Sequence, residues 1–123
     1  GAAQATVNEE AAEVFEKAAF DAAAFAFGAN GRQRAQVTCA GASGPDEACA
    51  RTFLRGFARR AFRRALTAGE EAPYVDLWRS ASSLEKSGWR GLEVAVAAIL
   101  QSTKFLFRFE EGEPDPQHAD RLR

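Results

Sequence analysis

Polar and apolar positions in residues 6–27 repeat with helical spacing. Val7, Ala11, Phe15, Ala18, Ala22 and Phe25 line one side, and Glu10, Glu13, Lys17 and Asp21 the other. Thr6-Val7-Asn8-Glu9 has the form of a capping box, so a first helix is expected from Thr6 to about Phe27, where Gly28 and Asn30-Gly31 stop it. Residues 29–45, rich in Gly and small side chains and holding Cys39, read as a loop. Ser43, Pro45 and Asp46 then open a second helix, with Pro45 in its first turn, running to about Leu66. Its apolar face combines Cys49, Phe53, Phe57 and Ala61 with Leu54, Ala58, Phe62 and Ala65. Arg51, Arg55, Arg59 and Arg63 recur every four residues on the opposite face.

A second capping box, Thr67-Ala68-Gly69-Glu70, starts a third helix toward Trp78 that buries Tyr74, Leu77 and Trp78. Pro73 lacks an amide hydrogen, so a kink or a late start is expected near 69–73. Ser80 to Gly88 reads as a polar connection. A fourth helix is expected from Trp89 to about Ser102, and its Val94–Leu100 run, apolar on every side, suits the centre of the molecule. Residues 104–110 alternate in polarity and fit either an extended segment or a continuation of that helix. The expected fold is all-α. It is a compact bundle of about four helices with a long loop between the first two and an extended C-terminal segment. Residues 1–111 form one domain and 112–123 a linker-like tail toward a following module.

Composition supports this. The 123 residues are 46% hydrophobic and 27% charged, too apolar for a disordered segment and too few for two cores. No apolar run approaches the roughly 20 residues of a membrane helix. The Gly-Ala-Ala start and the lack of Met read as a piece taken from a longer polypeptide, so a missing export signal carries no information about the parent's address.

The net charge of −1 conceals a strong polarity. Residues 1–31 hold five carboxylates against one lysine, residues 51–64 hold six arginines and no acid, and residues 65–123 hold ten acids against seven bases. The basic block comprises Arg51, Arg55, Arg59, Arg60, Arg63 and Arg64. Guanidinium groups make bidentate contacts with planar anions, so these six could dock a neighbouring domain, bind an acidic ligand or glycan, or pair with acids of the chain itself. Nucleic acid is disfavoured, because the total charge is near neutral and no phosphate loop, zinc finger or aromatic-studded basic strand accompanies the block.

Cys39 and Cys49 would form a disulfide in an oxidising compartment, closing an 11-residue loop worth roughly 2–3 kcal/mol in the chain-entropy account. Two buried thiols, or a redox-active Cys49 at a helix start, are the alternatives. With His118 the sole histidine, no metal site is expected, and no Cys-x-x-Cys-His for haem is present. Glu70/Glu71 and Glu110/Glu111 are neighbouring carboxylates at element ends, and no histidine lies in a folded segment as a general base. No catalytic residue is therefore assigned.

The stretch from Cys49 to Thr67, CARTFLRGFARRAFRRALT, followed by GLEVAVAAILQSTKFLFR over 91–108, resembles helical domains of unknown function in large cytochrome-linked proteins of planctomycete type. The resemblance covers about residues 39–110. It departs from the family pattern at Ala65 and Thr103, where the pattern has Pro, at Lys104, often His, and at Phe107, often Tyr. It implies an exported, periplasmic or extracellular multidomain parent with a c-type haem in a separate module, and it supplies no reaction. The expected role is thus a non-catalytic module whose arginine helix docks a neighbouring domain or binds an acidic ligand. The alternative is a share in an oxidoreductase or polysaccharide-processing site completed by other domains. That alternative predicts a polar cleft between the 59–64 and 102–108 segments.

Overall fold

The computed structural model describes the backbone of residues 2–111 and the side chains of residues 9–103. It is all-α, with helices α1 (Ala2–Phe27), α2 (Glu47–Phe62), α3 (Ala68–Glu85) and α4 (Gly88–Glu111) and a single 3₁₀ turn at Arg34–Gln36. Residues 112–123, expected to be a linker, lie outside the described residues, as does His118.

The Val94–Leu100 run makes α4 the central helix, and α1, α2 and α3 all pack on it. Leu92 and Ile99 are fully buried and Val96 nearly so, and Ala95 and Ala97 let neighbours approach closely. Gly91 sits where α3 crosses: a Cβ there would lie 2.6 Å from the Trp78 carbonyl oxygen. The Trp78 indole Nε1 donates to the Gly88 carbonyl at 3.1 Å, tying α3 to the start of α4.

The start of α1 differs from expectation. The helix runs from Ala2 straight through Thr6, so Thr6-Glu9 is not a helix start. Its buried stripe is Ala19, Ala23 and Phe27, and Phe25 is 66% exposed. Ala and Phe occur on every side of this helix, so periodicity did not single out a face and the fit to α4 chose one. At its other end Gly28 and Asn30 stop the helix as expected, with Asn30 at φ 61° and the Gln33 amide returning to the Ala26 carbonyl at 2.8 Å.

Pro45 lies outside α2, because Asp46 is the N-cap and its carboxylate accepts from the Cys49 amide at 2.9 Å. The helix ends at Phe62 rather than Leu66, since Arg63 turns to φ 62° and the Thr67 capping box begins α3 at Ala68. Pro73 does not delay α3, which begins at Ala68. It forfeits one hydrogen bond inside a continuous helix that reaches Glu85, absorbing the expected polar connection. Val75 is buried in place of Leu77. Residues 104–110 take the helical alternative and lengthen α4, so there is no extended segment there.

Cys39 and Cys49 are joined by a disulfide with Cα atoms 5.7 Å apart, fastening the long loop to the first turn of α2. The loop is held again by Arg34, whose Nε donates to the Phe27 carbonyl at 3.0 Å and whose guanidinium lies 4.6 Å from the Trp89 ring centroid. Gly44, at φ 104°, abuts the start of α4, where the Gly88 amide donates to the Ser43 carbonyl at 2.8 Å. No helix among the described residues is long and apolar enough to cross a membrane.

Candidate functional site

The six arginines divide among several environments because α2 packs on two sides. Leu54, Ala58, Ala50 and Cys49 face the core. Arg51 and Arg55 turn toward the acids. Arg51 reaches Glu47 at 3.4 Å, and Arg55 grips Glu71 of α3 through Nε at 2.8 Å and Nη2 at 3.2 Å. Past the end of the helix, Arg64 makes a two-pronged contact with Glu70, both distances 2.8 Å. Glu70 also accepts from the Thr67 amide, so the capping box and the ion pair share one carboxylate. That arrangement holds its pKa down to about 2, with the Arg64 hydrogen bond the main cause. Glu47 is likewise held below its ordinary value, chiefly by Arg79, which bonds it at 2.8 and 3.0 Å while also reaching Asp76.

Arg59, Arg60 and Arg63 differ. They are exposed, and among the described residues none has an ion pair or a side-chain hydrogen bond. Three positive charges thus stand without a described partner at the C-terminal end of α2, Arg59 and Arg60 in its last turn and Arg63 as its cap.

Arg60 also rims a groove of about 800 Å³. The groove exists because α1 and α2 both rest on α4 and scarcely touch each other. Val96 and Leu100 form its floor, and Ala26 and Phe27 of α1 face Phe53 and Phe57 of α2. Phe53 and Phe57 were expected in the core. Both are half-buried, with ring centroids 6.1 Å apart, and Phe27 meets Phe53 edge-on at 5.5 Å. Gly56 lies on the same wall. A glycine in mid-helix is the signal that could have marked this surface from sequence, since it lowers helix stability without an evident return.

A second cleft, about 550 Å³, is lined by Phe62, Arg64, Glu70, Tyr74, Gln101 and Ser102 together with Leu66. It joins the 59–64 stretch to Ser102, where Tyr74 donates to the Ser102 hydroxyl at 3.1 Å. Its Tyr74 and Glu70 come from α3, which periodicity alone did not bring to that place. Among the described residues no group of three or more His, Cys, Asp or Glu gathers as a metal site would require.

Residues 49–110 match the PSD5 family, described as a protein of unknown function (DUF1595). The chain belongs to this family. The PSD5 match opens on Cys49 and spans α2, α3 and most of α4, so all six arginines fall inside it, while α1 and the disulfide loop precede it. No curated protein and no solved structure matches the chain at a significant level.

Proposed function

We propose that the chain is a non-catalytic helical module of a larger exported protein, and that the free arginines of α2 dock it to a neighbouring domain or hold an acidic ligand. The carrying observation is the division of the basic block. Arg51, Arg55 and Arg64 are neutralised by acids of the bundle, whereas Arg59, Arg60 and Arg63 are exposed without such partners. Pairs with the bundle would have explained all six. Half of them are instead exposed, and guanidinium groups are suited to carboxylates.

An oxidising compartment, periplasmic or extracellular, fits the Cys39–Cys49 disulfide. The resemblance to cytochrome-linked planctomycete-type proteins implies a c-type haem in the parent. The donors of this chain do not suit that group, because its two cysteines are spent on each other and Cys-x-x-Cys-His is absent. Haem would belong to a different module.

Binding of a labelled polyglutamate peptide, followed by fluorescence anisotropy at low salt, tests the docking reading. The native chain is expected to bind, and the Arg59→Glu/Arg63→Glu variant to lose binding. Equal affinity in the two proteins would refute it, and preference for duplex DNA over polyglutamate would favour nucleic acid instead.

The Phe62–Tyr74 cleft favours a second reading, a share in a polysaccharide-processing or oxidoreductase site completed by other domains. Two aromatic rings beside Arg64, Gln101 and Ser102 suit a sugar ring's mixed apolar and hydroxyl surface. Titration with neutral and acidic oligosaccharides, monitored by NMR, should shift the Tyr74 and Gln101 resonances. Silence across both classes removes the saccharide form of this reading.

A further inference from the structure

We infer that the groove between α1 and α2 seats an amphipathic helix with acidic flanks from a partner domain, which crosses α2 at Gly56. The inference rests on the docking reading and specifies where the partner lies and what chemistry it presents.

Three independent features converge on this occupant. First, the groove is lined mainly by apolar side chains, with the half-buried rings of Phe53 and Phe57 forming one wall over Val96 and Leu100. Apolar anchors repeated along one face of a helix fill such a groove. Second, nothing among the described residues demands a glycine at position 56. A Cβ there would meet only the tip of Arg60, at an ordinary 3.5 Å, and α2 would gain stability from it. The missing side chain leaves a gap level with the groove, which lets a second helix backbone come close, since interaxial distance is set by the side chains at the crossing. Third, the charge is complementary along the α2 rim. Arg60 borders the groove, Arg59 and Arg63 lie on the adjoining outward surface, and no described acid neutralises them. On the loop side the rim is uncharged, with the amides of Gln33 and Gln36. A helix presenting leucine-like residues inward and carboxylates along its flanks satisfies all three, whereas a purely polar anion would leave the rings and the gap unused.

The test uses the full chain and a labelled synthetic helical peptide with leucines on one face and glutamates on the flanks. A matched peptide carries lysines in place of the glutamates. The acidic peptide is expected to bind at low salt, and about ten-fold more weakly to Gly56→Leu and to Arg60→Glu. Circular dichroism melts should show Gly56→Leu to be at least as stable as the native chain, so that its weaker binding reports a filled groove and not a lost fold. If Gly56→Leu binds normally while Arg59→Glu/Arg63→Glu does not, the groove proposal is overturned and the arginine surface stands. Equal binding of the lysine peptide also overturns it. If the native chain binds neither the acidic peptide nor polyglutamate, the groove proposal and the docking reading fall together.

Discussion

Arg55 and Glu71 are joined across the α2–α3 seam by two hydrogen bonds, 2.8 and 3.2 Å, although they lie 16 residues apart. The Glu71 side chain is only 11% exposed, while the Arg55 side chain is 59% exposed. The carboxylate therefore depends on its partner more than the guanidinium does. Arg55→Ala should lower the melting temperature by several degrees, because it leaves a mostly buried carboxylate unpaired. Replacing both, as Arg55→Met with Glu71→Leu, should recover much of the loss. A thermal double-mutant cycle checks this, and additive effects would show that the two groups are not coupled.

The Arg64–Glu70 pair has a pH signature. Glu70 titrates near 4.5 when free and is held down to about 2 in the fold. Its contribution to stability is therefore present above about pH 4.5 and is lost as pH falls toward 2. Glu70→Gln should remove this part of the acid dependence of the melting temperature. Because both side chains are substantially exposed, added salt should shrink the effect.

Reducing the Cys39–Cys49 bond releases the loop that carries Arg34 and Gly44. Cys39→Ser/Cys49→Ser should cost roughly 2–3 kcal/mol in urea unfolding, the loop-closure value for the 11 residues enclosed. Thiol titration of the unreduced, denatured chain should find no free thiol; two would contradict the bond.

Gly91 is a packing glycine. A methyl group there would press on the Trp78 backbone and indole, at 2.6 and 2.8 Å, so Gly91→Ala should cost about 1–3 kcal/mol despite its better helix propensity. Gly56→Ala, whose methyl group would make only an ordinary contact with the Arg60 guanidinium at 3.5 Å, should instead gain about 0.5–1 kcal/mol. Opposite signs for the same chemical change, measured by denaturant titration, would separate the two roles.

The helical class, the Thr67–Glu70 cap and the central place of 94–100 were legible because each depends on neighbours in the chain or on strong periodicity. The buried face of α1 was not, since Ala-rich sequence permits several faces and contact with α4 selects among them. The end of α2 was misplaced by four residues for a related reason. Periodicity continues through Leu66, but Arg63 in the left-handed region and the following cap terminate the helix at Phe62.

Sequence by itself determined that an arginine-rich amphipathic helix would exist, since side chains four apart on a helix must share a face. Only the tertiary structure decided which arginines are free. Glu71 reaches Arg55 through the way α3 lies along α2, and Glu70 reaches Arg64 through the turn joining them, whereas Glu47 and Arg51 are four apart within α2. The groove beside Arg60 arises because α1 and α2 lean on α4 without closing on each other. Charge and periodicity are properties of one segment, whereas neutralisation and exposure depend on which segments come to lie beside it.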